Sequence, residues 1–326
     1  MQIRNARFLA GVFLLSLVGC ANPPQTRLVL KSPTAILPRH AELTKVSYFA
    51  QDEFQCGPAS LAMVLNSAGV SVTPEELKPE IYSPDLHGSL QVEMLAAARR
   101  HGAIAYQLAP LLNDVLREIA AGTPVIVLQN LALSWYPVWH YAVVIGFDLD
   151  RSNIILRSGA ENRQMISLKA FEYTWARSNY WAMVALPPGQ IPITAGETDY
   201  VAAISAAEKI IDAESALLAY QTAAERWPGN LTAQIGMGNA AYRLHDIVKA
   251  EKAYRQAAHE HPDSVAAFNN LAQTLSEQAR YEEALEAARH AVSLGGPLSQ
   301  TARETLEDIE RRVNGNLNLP DQSGHE

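Results

Sequence analysis

The 326-residue sequence predicts an α+β domain with N-terminal helices and an antiparallel sheet, followed by an all-α array of repeated helices. Three observations carry this. Between Gly57 and Pro188 helix-like segments come first, and strand-like runs rich in Val, Ile and aromatics follow one another, an order that favours α+β over a strand-helix alternation. After a Pro/Gly-rich stretch, "PPGQIPITAGE" (187–197), the strand signals cease and the chain becomes Ala-rich. Within that second half, small and aromatic residues recur every 34 positions. Two compact units are also what a chain of this length leads one to expect.

At the N-terminus Arg4 and Arg7 precede an apolar run, "FLAGVFLLSLVG" (8–19), too short for the roughly 20 residues of a membrane-spanning helix and in keeping with a signal peptide. The "LVGC" at 17–20 resembles a bacterial lipobox. That resemblance implies a signal peptide over 1–20, with Cys20 lipidated as the first residue of the mature chain. The Pro-rich 21–44 segment then reads as a tether. Ala21 lacks the Asp that marks inner-membrane retention in enteric bacteria. The expected location is the bacterial cell envelope, lipid-anchored on the periplasmic side, at the outer membrane rather than the inner one.

The first domain is expected over 45–187. "PASLAMVLNSAG" reads as a helix closed by Gly69. "TPEELKPEIY" begins with a Thr73 cap, Pro74 in the first turn and Glu76 completing a capping box. "QVEMLAAARRHG" and "DVLREIAAG" are two further helices. Strands follow at "PVIVLQN" (124–130), "HYAVVIGFD" (140–148), "NIILRS" (153–158), "RQMISL" (163–168) and "YWAMVAL" (180–186). A linker at 188–197 leads to repeats over 198–313 and a tail at 314–326.

In the second domain Ala216, Ala250 and Ala284 stand 34 apart, as do Tyr220, Tyr254 and Ala288, and Ala223, Ala257 and Ala291. Pro228 and Pro262 keep the same step, with Pro297 one residue late. Gly238 and the Leu271-Ala272 pair take the small positions. This pattern resembles the tetratricopeptide repeat. Small residues let the two helices of a hairpin approach, the larger residue fills the gap to the next repeat, and the Pro ends the helix. "QTARETLEDIERRV" would cap the stack with a charged outer face. The resemblance implies a concave surface that receives a peptide or protein partner.

The net charge of −8 excludes nucleic acid as the natural partner, since Arg99-Arg100 and Arg311-Arg312 are isolated pairs and not a basic patch. His245, His259, His261 and His290 show no metal-ligand spacing, so neither a metal nor another cofactor is expected.

The chain has two cysteines. With Cys20 consumed by lipid, Cys56 stands alone, and a lone thiol outside the cytoplasm is either buried and inert or present for its reactivity. Cys56 opens the helix of "QCGPASLAMVL", where unpaired backbone N–H groups lower a thiol pKa. Gly57 allows close approach of the backbone, and Pro58 suits the first turn.

The stretch "QDEFQCGPASLAMVL" together with "WHYAVVIGFD" (139–148) resembles papain-like bacterial cysteine peptidases of the bacteriocin-processing, double-glycine leader peptidase family. The likeness covers roughly 45–187, and the spacing of 84 from Cys56 to His140 suits such a domain. It implies hydrolysis of peptide bonds with Cys56 as nucleophile and His140 as base. A glutamine completes the oxyanion hole: Gln51 by family spacing, with Gln55 as the alternative. The family's preference for a double-glycine substrate is not carried over. At the third triad position the family has Asp or Asn, whereas this chain has Ser158; Asn162, Glu161 and Asp148 are the other candidates. Trp139 and Gly57 are placed along a substrate groove, with Trp135 and Tyr136 either beside them or covering the core edge. His87 is a rival base in a loop. The departure at Ser158 keeps a second reading open: an inactive peptidase-like and repeat scaffold that binds a protein partner.

Overall fold

The computed structural model describes residues 23–31, 37–50 and 55–317, which fall into two compact units. The first unit comprises Met1–Ser67, Thr73–Ser89 and Gln107–Val184; the second comprises Ala68–Val72, Leu90–Tyr106 and Ala185–Glu326. Within the expected 45–187 stretch, Ala68–Val72 and Leu90–Tyr106 cluster with the second unit. Leu90–Tyr106 joins the second unit because Tyr106 packs edge-on against Tyr200, ring centroids 5.9 Å apart, and its hydroxyl accepts from the Gly196 backbone N–H at 3.2 Å.

The chain enters the first unit with α1 (Pro24–Lys31) and β1 (His40–Glu42). Then come α2 (Cys56–Ser67), α3 (Pro74–Ile81) and a small hairpin of β2 (Tyr82–Ser83) and β3 (Gly88–Ser89). The capping box expected for α3 is present, with Thr73 and Glu76 bonding each other's backbone. Leu90–Tyr106 supplies α4 (Gln91–Arg100) and most of β4 (Ile104–Gln107) to the second unit. The first unit resumes with α5 (Leu112–Ala120), β5 (Val125–Asn130), β6 (Trp139–Asp148), β7 (Asn153–Ser158), β8 (Glu161–Ser167), α6 (Leu168–Ala176) and the start of β9 (Ala182–Leu186).

The strands β9, β5, β6, β7 and β8 lie in that order and pair antiparallel. The long strand β6 organises the sheet. One of its edges carries β5 along Trp139–Val144 and then β1 along Gly146–Asp148; the other carries β7. The register with β7 shifts between Val144 and Gly146, a β-bulge. Here the glycine of the "HYAVVIG" motif has a clear cause. A Cβ on Gly146 would lie 2.7 Å from the Ala41 carbonyl oxygen and 3.1 Å from Glu42 Cα, so only glycine lets β1 close on β6.

Two elements depart from expectation. The strand expected over 163–168 ends at Ser167, whose hydroxyl accepts from the Ala170 N–H at 3.2 Å and caps α6. The residues that follow, "LKAFEYTWA", form that helix, and its buried Leu168, Phe171, Glu172 and Trp175 follow helical spacing. The tether over 21–44 is likewise corrected. Residues 24–31 form α1, held to the domain by Glu172, a fully buried carboxylate that accepts from the backbone N–H groups of Gln25 at 3.0 Å and Thr26 at 2.5 Å. An anion at the N-terminal N–H groups of a helix is stabilising. Residues 40–42 are strand β1.

The second unit continues with seven helices: α7 (Glu197–Glu208), α8 (Ala213–Arg226), α9 (Leu231–Arg243), α10 (Ile247–Glu260), α11 (Val265–Glu277), α12 (Tyr281–Leu294) and α13 (Ser299–Leu317). Each packs on the next. The 34-residue period falls on α8, α10 and α12, and its alanines are fully buried. The role of the aromatic position is plain at two glycines of α9. A Cβ on Gly236 would sit 2.4 Å from the Tyr220 ring, and one on Gly238 would sit 2.4 Å from the Tyr254 ring. Asp212, Asn230, Asp246 and Ser264 cap α8 to α11 with side-chain oxygens.

Candidate active site

Helix α2 begins at Cys56 and packs against β6 and β5. Its body, Ala59–Leu65, is buried, so the first turn is fixed against the sheet. Cys56 is a free, half-buried thiol. The backbone N–H groups of Tyr141, Gly57 and Cys56 face its sulfur and favour the thiolate, but burial outweighs them and pushes the thiol pKa up. The Tyr141 N–H matters for the geometry, because it brings the sulfur to the residue next to His140. Burial and the nearby Cys56 charge raise the Tyr141 phenol above its usual range. That hydroxyl donates to the Ser89 carbonyl at 3.1 Å, and the ring packs edge-on against Trp181.

His140 is the second residue of β6, opposite Gln129 of β5. Its Nε2 lies 2.9 Å from Ser158 Oγ. The register explains this contact. Val143 pairs with Arg157, so the next position outward sets Ser158 opposite Ala142, on the same face as His140. Burial lowers the His140 pKa. The shifts of Cys56 and His140 therefore point the same way, towards a resting pair of neutral thiol and neutral imidazole.

Ser158 itself is buried at the β7–β8 turn, which is braced from behind. Tyr48 donates from its hydroxyl to the Gly159 carbonyl at 3.1 Å. The Arg157 guanidinium donates to the backbone and side-chain oxygens of Asn162 and, at 3.0 Å, to the Val46 carbonyl. This brace has no signature in the sequence, because Tyr48 and Val46 lie 111 residues before their partners.

The other third-position candidates are elsewhere. Asn162 is engaged by Arg157, and Glu161 is exposed and accepts from Gln164. Asp148 sits at the opposite end of β6 from His140, paired with His40 and Asn153. His87 is exposed at the tip of the β2–β3 hairpin, in the left-handed region at φ 47°.

Gly57, expected along the groove, is buried in the first turn of α2, and its contribution is the N–H beside the thiol. Trp139 is half-exposed and opens β6 opposite Asn130. Gln55 precedes α2, its carbonyl accepting from the Ala59 N–H at 3.2 Å. Gln51 and Cys20 lie outside the described residues. Among the described residues no group of three His, Cys, Asp or Glu side chains is placed to hold a metal, and no helix is long and apolar enough to cross a membrane.

Residues 43–183 match the family model described as Peptidase_C39 like family, and residues 253–286 match that of the Tetratricopeptide repeat. The chain thus joins a C39-peptidase-like domain to tetratricopeptide repeats. Among solved structures it is similar to a putative C39-like peptidase from Bacillus anthracis (17% identity, TM-score 0.40, covering 46% of this chain and 98% of that one). It is also similar to a double glycine motif protease from an AMS/PCAT transporter in complex with the leader peptide (24% identity, TM-score 0.34, 44% and 93% covered). A third is the Arabidopsis OM64 TPR domain (22% identity, TM-score 0.33, 36% and 99% covered). No curated protein matches the chain.

Proposed function

We propose that the protein is a membrane-anchored cysteine peptidase whose repeats recruit a peptide or protein partner. The observation that carries this is that His140 Nε2 lies 2.9 Å from Ser158 Oγ while the Cys56 sulfur, at the start of α2, faces the backbone N–H of the next residue, Tyr141. With Nε2 occupied by Ser158, Nδ1 is the imidazole nitrogen that takes the thiol proton. The sulfur then attacks a peptide carbonyl carbon. The oxyanion is held by the Cys56 backbone N–H and by a glutamine side chain, Gln51 by family spacing. The imidazolium returns the proton to the departing amine, leaving a thioester. Water, deprotonated by His140, releases the acid and restores the thiol. The lipid on Cys20 would hold the molecule on the periplasmic side of the envelope, at the outer rather than the inner membrane.

A second reading, an inactive peptidase-like scaffold, is favoured by one observation. Ser158 carries no charge, so nothing at Nε2 offsets the burial that lowers His140. Peptide hydrolysis measured beside iodoacetamide labelling of Cys56 separates the two. The peptidase reading requires turnover that is lost in both Cys56→Ala and His140→Ala, and labelling that slows in His140→Ala. A thiol that labels like free cysteine and is indifferent to His140→Ala supports the scaffold.

A further inference from the structure

The hairpin between β5 and β6 is unusual. Residues 130–139 contain no charged side chain. Leu131, Leu133, Trp135, Tyr136, Val138 and Trp139 all stand out from the surface, from 47% exposed at Val138 to 80% at Trp135. The loop is nevertheless built. Asn130 Oδ1 accepts from the Ala132 and Val138 N–H groups, each at 3.0 Å, and the Leu131 N–H donates to the Val138 carbonyl at 2.9 Å. Arg177 donates from Nη1 to the Asn130 carbonyl at 3.0 Å and to the Ala132 carbonyl at 2.6 Å. A cluster of exposed apolar side chains held in place by its own backbone marks an interaction surface.

The position of α1 indicates what covers it. Only Ala21, Asn22 and Pro23 separate Cys20 from α1, a reach of at most about 14 Å from Cys20 to Pro24. Gln25 and Thr26 of α1 bind Glu172 of α6, and Arg177, just past the end of α6, holds the hairpin. The α1 attachment and the hairpin are thus joined by one helix of nine residues, about 13 Å long. Leu28 of α1 and Leu111 are exposed, Leu111 lying between Pro110 and Leu112, both bonded by Gln25 of α1.

We propose that the β5–β6 hairpin docks into the interface of the lipid bilayer to which Cys20 is attached. The inference rests on the lipidation proposed above. Trp and Tyr on an uncharged, preformed tip suit the water–lipid boundary, where an apolar ring carries a polar edge. A bilayer fits better than an apolar peptide because the six side chains project outward, whereas the walls of a peptide groove would shield one another. Docking sets His140, one residue beyond Trp139, next to the membrane surface, and so selects peptides presented there.

The test uses the mature lipidated chain in phosphatidylcholine vesicles with brominated acyl chains. Trp135 should be quenched by the bromines and shielded from aqueous iodide, and Trp135→Phe should lose most of that quenching. Paired substitutions Trp135→Glu and Tyr136→Glu, both at exposed positions, should abolish shielding of Trp139 while far-ultraviolet circular dichroism stays unchanged. A vesicle-bound chain whose Trp135 remains open to iodide overturns the docking and leaves lipidation standing. A mature chain whose Cys20 carries no lipid by mass spectrometry overturns both. Shielding of Trp135 by a leucine-rich peptide but not by vesicles gives the hairpin to substrate and overturns the membrane role.

Discussion

His140 Nε2 and Ser158 Oγ are 2.9 Å apart, so the imidazole is steadied by a hydroxyl and not by a carboxylate. A hydroxyl orients the ring but does not stabilise its cationic form, which the charged thiolate–imidazolium pair requires. Ser158→Asp is therefore expected to raise the His140 pKa, lower that of the Cys56 thiol, and speed alkylation at pH 7 roughly tenfold. Ser158→Ala should keep the fold and lower turnover about 10-fold or more through lost orientation. Iodoacetamide kinetics read by mass spectrometry check both, and a Ser158→Asp protein no faster than the parent would remove Ser158 from the site.

The pH dependence has a definite sign. Burial raises the Cys56 thiol and lowers the His140 imidazole. A raised thiol pKa means less thiolate at pH 7 than in free cysteine, so the labelling rate should climb with pH and pass its midpoint above about 8.5. With burial lowering the His140 imidazole, any step it leaves in that profile should fall below pH 6.5. A labelling rate that is level from pH 6 to 8 would instead reveal a preformed ion pair.

Glu172 ties α1 to the domain across 146 residues of sequence, and its carboxylate is fully buried. Glu172→Gln replaces two charge-assisted hydrogen bonds by at most weaker ones and should cost about 2 kcal/mol locally. Hydrogen–deuterium exchange should then rise over 24–31 and little elsewhere. Unchanged protection of α1 would mean that its apolar contacts hold it without the carboxylate.

Gly238→Ala tests the repeat packing. In an exposed helix this change would stabilise by roughly 1 kcal/mol. Here the new methyl would sit 2.4 Å from the Tyr254 ring, which is buried and bonded through its hydroxyl to Asn239. A net loss of about 1–3 kcal/mol is expected in thermal or urea unfolding of the repeats. Adding Tyr254→Leu should recover part of it, since the smaller side chain makes room.

Much of the site was legible in the chain because each signal is local. Cys56 before Gly57 and Pro58 announces a helix start, and the alternation after His140 announces a strand. Ser158 is singled out only through the family resemblance, as the residue closing the strand after the histidine strand. What was not legible came from distant partners. "PQTRLVLK" looks like tether because its helix is stabilised by Glu172, 146 residues further on. Gly57 reads as a groove residue until the first turn of α2 is seen buried against the sheet.

The sequence by itself determined the change from an α+β region to a helical array, the 34-residue period, and a thiol at a helix start ahead of a histidine on a strand. These follow from contacts within a helical turn, a strand pleat or one repeat, and such contacts are written in neighbouring residues. Only the tertiary structure decided that the Tyr141 N–H meets the thiol, that Ser158 meets Nε2, and that α1 is docked instead of hanging free. Each depends on sheet register or on helix docking across many residues. A shift of one residue along β6 would turn His140 to the other face, and nothing local in the chain forbids it.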